Sequence, residues 1–371
     1  MATATAVYEL FADNAFLLPM KRAEEQSFRD ALEGACRRYS DAVSSLTARD
    51  AVTDGVRARH QAIVELSADL LETLDLALAG RGDEARSRFS AAMDPIAAEV
   101  QAYASKPLTR DVIRTLYRLR KGAPDAAFHR RDLFHSPHSE TNPPGAQRYS
   151  PVGVPMLYLG GSLNVCWLEY NRPESGVWAA AYRIRPGREL RVWDMGYRPD
   201  TGALLAAAAA GAVPRSPDRL AAFVTAYGVL WPLLAACSFR IVGGAPKPYQ
   251  EYLIPQLLMG WFQESDSILG IRYFSSKLEG PGAAIAASAN FVFPARRVDA
   301  AGHCLLLQEV FELTEPIFWS NLGEDVSRMK AQAKLHPSED IPWAETPWGP
   351  MEDHLNSSQF AQVDTTKTSI G

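Results

Sequence analysis

Apolar positions recur at three- and four-residue steps through the first hundred residues, a spacing that predicts helices rather than strands. Leu32, Cys36, Tyr39, Val43 and Leu46 form one stripe, and Ile63, Leu66, Leu70, Leu71, Leu74 and Leu78 a second. The second stripe runs into Gly80-Arg81-Gly82-Asp83, a helix stop followed by a fresh N-cap. Ala85, Phe89, Met93, Ile96, Val100 and Tyr103 carry a third helix, in which Pro95 predicts a kink or a split. Short turns between such stripes predict three antiparallel helices within a helical region over 1–107.

Beyond residue 108 the pattern shortens to β-rich runs at 112–119, 156–159, 177–184, 190–193, 268–273, 287–293 and 305–313. Helices are expected at 162–170, 217–237 and 249–262. Strands and helices do not alternate strictly, so the fold class is α+β: a three-helix N-terminal region, then a mixed β core with helices over 108–320. Residues 121–146, rich in Pro, His, Asp and Ser, read as a long loop. From 321 to 371, prolines and polar residues mixed with Trp343 and Trp348 predict a tail lying along the surface, mobile at its end.

Length and composition narrow the field. A chain of 371 residues fits two domains better than one core. A net charge of −5 provides no global basic field, which weighs against direct binding to nucleic acid or anionic lipid. No stretch is read as long enough to span a membrane, the alanine-rich run at 203–213 being too short, and no leader pattern opens the chain. Cys36, Cys166, Cys237 and Cys304 are scattered, as expected of ordinary thiols in a reducing cytoplasm. His129, His135 and His138 lack a fourth ligand at zinc-like spacing and read as solvated loop histidines, so no metal is expected. Neither GxGxxG nor GxxxxGK[ST] occurs, so no glycine-rich phosphate loop is present.

Chemistry concentrates around residues 148–169. Pro151, Gly153 and Pro155 make a rigid turn into a strand bearing Tyr158, Ser162 can cap the next helix, and Glu169 falls near that helix's far end. Taken singly, each feature has a plain structural reading: an exposed helix glutamate, an edge-strand arginine at Arg118, a hydroxyl turn at Ser275-Ser276. In order, however, Leu-Tyr-Arg at 116–118, Arg-Tyr-Ser-Pro at 148–151, Leu-Tyr-Leu at 157–159, Glu169, Tyr-Phe-Ser-Ser at 273–276 and Asn290 resemble the RES domain, named for its arginine, glutamate and serine. The resemblance covers a little over half of the chain. It departs from the family at Lys277, where an arginine is usual, and in the lengths of 121–147 and 201–217. The N-terminal helices are extra and resemble HEPN-like extensions, without an R-x4-H pair.

The resemblance implies an ADP-ribosyltransferase-like core and a toxin that cleaves the nicotinamide–ribose bond of NAD⁺ by hydrolysis or phosphorolysis. Transfer of ADP-ribose to a protein target, or a catalytically inactive binding module, are the alternatives. Glu169, Arg118 and Ser275 are the implied catalytic residues. Arg148, Tyr158, Tyr117, Ser276, Lys277 and Asn290 are the implied NAD-binding residues. NAD⁺ is then a substrate and no cofactor is needed. Arg118, Arg148, Tyr158, Glu169 and Ser275 are expected to converge on one cleft, with no two of Arg118, Glu169 and Ser275 on opposite faces. An Xre-like antitoxin is the implied partner. The apolar surface that three helices cannot bury among themselves is expected to dock on a partner or a second copy, giving a homodimer.

Overall fold

In the computed structural model, which describes residues 5–103, 108–110, 113, 115–138, 145–173, 176–196, 217–242, 248–264, 268–275, 289–319 and 348–364, each N-terminal stripe becomes a helix. The helices of this region are α1 (Thr5–Ala12), α2 (Phe28–Ser44), α3 (Ala51–Ala58), α4 (His60–Leu78), α5 (Gly82–Met93) and α6 (Ala97–Tyr103). A 3-10 turn at Asp94–Ile96 parts α5 from α6, the split that Pro95 predicts. There follow β1 (Leu116–Lys121), α7 (Arg130–Leu133), β2 (Met156–Gly160), α8 (Leu163–Glu169), β3 (Val177–Ile184) and β4 (Val192–Asp194). Next come α9 (Pro217–Ser238), α10 (Leu253–Gln263), β5 (Gly270–Phe274) and β6 (Ala289–Pro294). The chain closes with α11 (Leu305–Val310), β7 (Phe311–Thr314), β8 (Ile317–Trp319), α12 (Trp348–Ser357) and β9 (Phe360–Ala361). The class is α+β, as the sequence predicts.

These elements form two units that are not continuous in sequence. The first comprises Met1–Lys106, Ala146–Pro151 and Arg191–Ser276; the second comprises Pro107–Gly145, Val152–Leu190 and Lys277–Gly371. At the centre of the first unit is α9, whose residues from 223 on are almost all buried. Helices α2, α3, α4 and α6 pack around it. The Tyr39 hydroxyl donates to Gly228 O at 2.8 Å, and Trp231 Nε1 donates to Phe16 O at 3.0 Å. Gly228 permits a close approach of α3, since a Cβ there would sit 2.8 Å from Val56 Cγ2. Within the unit Leu32, Tyr39, Leu66, Leu70, Phe89 and Tyr103 are all buried, while Leu78 of the second stripe stays exposed. Part of the apolar surface expected to dock on a partner or a second copy is thus covered within the unit.

The same helix revises the reading of apolar runs. Residues 220–238 carry no charge, so this stretch, unlike 203–213, is long and apolar enough to cross a bilayer. Here 78% of its apolar window is buried, which makes it a core helix. Residues 203–213 lie outside the described residues. The unit also holds a parallel strand pair, β4 and β5, with Trp193 opposite Ile271. Trp193 Nε1 donates to Val100 O at 3.2 Å, tying β4 to α6.

The second unit is built on antiparallel strands in the order β6-β2-β1-β3-β7-β9, with β8 also pairing β3. Helices α8 and α12 cover one face, where Tyr117, Leu119, Cys166, Trp167, Ala181, Trp348 and Leu355 share a core. On the other face α7 is held by the Tyr182 hydroxyl, which donates to Leu133 O. Three expectations change here. Residues 305–310 form a helix, and only 311–314 of the predicted 305–313 strand is β, because Leu305, Leu306 and Leu307 fit either period. The stretch 121–146 is not a bare loop: it contains α7, and Leu133, Phe134 and His135 are buried. The predicted surface tail instead contributes α12 and β9, with Trp348, Glu352 and Leu355 on one buried stripe at helical spacing. The rest of that tail, Trp343 included, lies outside the described residues.

Candidate active site

The ladder of the second unit places most of the implied site residues. Tyr117 of β1 stands opposite Gly160 of β2, and Gly160 opposite Asn290 of β6. Opposed residues share a face, so Tyr117, Tyr158 and Asn290 point to the side of α8. Gly160 lets α8 come close: a Cβ there would lie 2.6 Å from Cys166 Sγ and 3.1 Å from Ser162 O. Ser162 caps α8 as predicted, accepting from Val165 N at 3.3 Å. At the other end of this helix Glu169 is half-buried, and Asn290 Nδ2 donates to its Oε1 at 2.7 Å. A buried amide thereby fixes the direction of a carboxylate that water still reaches.

Arg118 departs from the expectation of a common face. It pairs with Ala180 of β3, and register turns its side chain to the face opposite Tyr117 and Asn290. The strands themselves supply the link. Strand β1 shares six paired positions with β3, and β2 shares five with β6, but β1 and β2 share only the Tyr117–Gly160 pair. Beyond that pair the sheet parts, and Arg118 and Tyr158 lie on the parted stretches. The Tyr117 carbonyl accepts from the Cys166 thiol at 3.2 Å. Burial raises this thiol to about 12, with Glu352 and Glu169 adding to it and Gly160 and Arg118 opposing it. Arg118 Nη1 is buried without a hydrogen-bond partner among the described residues, an unusual state for a guanidinium nitrogen.

The other implied residues fall differently. Arg148 belongs to the first unit, buried, with Nη1 donating to Cys237 O at 3.2 Å and Nη2 to Phe239 O at 3.0 Å. Its guanidinium closes the C-terminal end of α9 over the Tyr252 ring, which accounts for the arginine without a diphosphate. Tyr117 is buried, and its hydroxyl accepts from Asn356 Nδ2 at 2.9 Å, so it forms part of the frame. Ser275 is buried just past the end of β5 in the first unit. Ser276 and Lys277 lie outside the described residues.

Sequence reasoning missed two buried titratable groups. His135 is not a solvated loop histidine: Nδ1 donates to Ser136 O at 2.7 Å and Nε2 accepts from Cys304 N at 2.8 Å, which fixes the neutral ring. Glu352 of α12 accepts from Leu163 N at 2.7 Å. Its signal was present in the spacing of Trp348, Glu352 and Leu355, a carboxylate on an apolar stripe.

The two groups have opposite effects on stability. Burial, with His303, Arg118 and His138 adding to it, lowers His135 from 6.5 to about 4. The unfolded chain then takes up a proton that the fold refuses, so stability present above pH 6.5 is lost as pH falls from 6.5 to about 4. Burial raises Glu352 from 4.5 to about 7, against the lowering effect of Leu163 and Tyr117. Its contribution is complete below pH 4.5 and is lost as pH rises from 4.5 through about 7. Between pH 4.5 and 6.5 the two slopes oppose one another. Glu352→Gln removes one of them, so on acidification across that window the variant should lose roughly 2–3 kcal/mol relative to wild type. Urea melts of both proteins at pH 4.5, 5.5 and 6.5 check this; a constant difference between them rules it out.

Comparison with known proteins decides the family. Residues 115–306, just over half of the chain, match the RES domain. The chain belongs to the RES domain family. The match begins beside β1 and ends in α11, so the RES region takes in Arg118, Tyr158, Glu169, Ser275 and Asn290 and leaves out α12. The chain is also 26% identical over 319 residues to a Bacillus subtilis (strain 168) protein named "Putative toxin YopC", across 81% of this chain and 68% of that protein. That likeness therefore extends beyond the RES region. No solved structure matches.

Proposed function

We propose that this RES protein is a toxin that cleaves the nicotinamide–ribose bond of NAD⁺. The observation that supports the reading is a half-buried carboxylate, Glu169, oriented by the Asn290 amide. Support also comes from Arg118, on the other face of the sheet, whose Nη1 is buried and without a hydrogen-bond partner among the described residues. Departure of nicotinamide leaves oxocarbenium character on the ribose. Glu169, held by Asn290, is the group to stabilise that charge and to hold a ribose hydroxyl. Arg118 supplies the cation for the diphosphate, whose oxygens would satisfy Nη1. Tyr158, half-buried on the parted stretch of β2, offers a ring face for the nicotinamide. Ser275 enters as the group the resemblance assigns to the nicotinamide ribose.

Hydrolysis consumes NAD⁺ and water and yields ADP-ribose, nicotinamide and a proton; phosphorolysis replaces water by phosphate and yields ADP-ribose 1″-phosphate. Transfer to a protein passes through the same cleavage. The test is incubation of the purified protein with NAD⁺, with and without phosphate, followed by mass spectrometry of small products and of protein. Release of nicotinamide is expected. Intact NAD⁺ under all these conditions overturns the reading. The likeness to a protein named a toxin and the family's antitoxin context support a separate protein partner that restrains the activity.

A further inference from the structure

The RES region ends at residue 306, yet one of the polar groups closest to its working helix comes from outside it. Helix α8 is short, seven residues, and carries Glu169 at its C-terminal end. Its first backbone N–H, that of Leu163, donates to Glu352 of α12. One turn on, Asn356 Nδ2 donates to the Tyr117 hydroxyl, and Asn356 O accepts from Arg183 of β3 at 2.8 Å. The Trp348 ring of α12 packs on Trp167 of α8 with centroids 5.2 Å apart.

We propose that Glu352 is a positioning residue for the reaction: by holding Leu163 N from an α12 that Asn356 ties to Tyr117 of β1, it fixes the axis of α8 against β1 and hence the aim of Glu169. The inference rests on the function proposed above. Ser162 caps α8 at Val165 N, whereas Leu163 N, the first backbone donor of the helix, takes its acceptor from α12. A helix of two turns has few other bonds with which to hold its direction. Tilting it would move a carboxylate at its far end by about an ångström, enough to cost on the order of 10²-fold in rate. Glu352 accepts from Leu163 N and has no part in the NAD⁺ contacts proposed above, so binding should be spared.

Two variants separate the idea from general damage. Glu352→Ala removes the acceptor, whereas Glu352→Gln keeps an oxygen for Leu163 N. Glu352→Ala should lower kcat about 10-fold to 10²-fold with KM for NAD⁺ unchanged, and Glu352→Gln should recover most of it. In the absence of substrate, amide exchange over residues 163–169 should quicken in the Ala variant and stay close to wild type in the Gln variant. Tyr117→Phe, which loosens α12 by removing the acceptor of Asn356 Nδ2, replaces the Ala variant if that protein does not fold. A folded Ala or Phe variant with wild-type kcat, or with unchanged exchange over 163–169, overturns the proposal. If the wild type leaves NAD⁺ intact, the functional reading fails instead, and the exchange measurement alone decides whether Glu352 holds α8.

Discussion

Glu169→Gln is expected to reduce NAD⁺ cleavage by about 10²–10³-fold while the protein melts within a few degrees of wild type. The two side chains are nearly the same shape. What changes is charge: an amide oxygen cannot neutralise a developing oxocarbenium ion as a carboxylate does. The partner side is equally specific, because Asn290 Nδ2 donates 2.7 Å to Glu169 Oε1 and can still donate to the oxygen of a glutamine. The bond that orients the side chain therefore survives while the catalytic charge is lost. Initial rates of nicotinamide release, measured beside a thermal melt, check both halves. An equally active Gln variant removes Glu169 from the reaction.

Arg118→Met should separate activity from stability in the opposite sense. Replacing the guanidinium by an apolar side chain of similar length removes the cation offered to the diphosphate, and kcat/KM should fall about 10²-fold or more. Stability should stay level or rise by up to about 1–2 kcal/mol, since the fold no longer buries a polar nitrogen that lacks a partner. Tyr182 and Leu159 lie near on the same side of the strands and accept an apolar neighbour. A loss of both activity and stability would make Arg118 a structural residue and would withdraw it from the site. The same split is not expected at Arg148, where both terminal nitrogens already bond the carbonyls that end α9. Truncation there costs stability first.

Local chemistry was legible in the sequence and register was not. Ser162 as a cap, Pro95 as a break and the stripe of α4 each depend on residues within a turn of one another, and all appear as read. The pairing of Glu169 with Asn290 joins residues 121 positions apart, and only the ordered motif pointed to it. Which face Arg118 takes depends on pairings with β2 and β3 that no local pattern encodes. His135 looked solvated because a polar segment surrounds it; its two backbone partners, Ser136 and Cys304, could not be inferred from spacing. The tail was misread for a simpler reason. Prolines and charges dominate its composition, while Trp348, Glu352 and Leu355 describe a buried helix face to anyone counting in steps of three and four.

The order in which the chain visits its two units has a consequence for how it can be cut. Segment 191–276 follows β1, β2 and β3 in sequence but returns to the company of residues 1–106. A fragment that begins after the N-terminal helices would be translated with α9 and without the helices that cover it. What remains is an uncharged stretch over 220–238, hydrophobic enough for a translocon or a chaperone to accept as a membrane segment. The helical part of this protein is consequently no detachable cassette: neither a protease nor a recombination event could hand on residues 107–371 alone without handing on that hazard too.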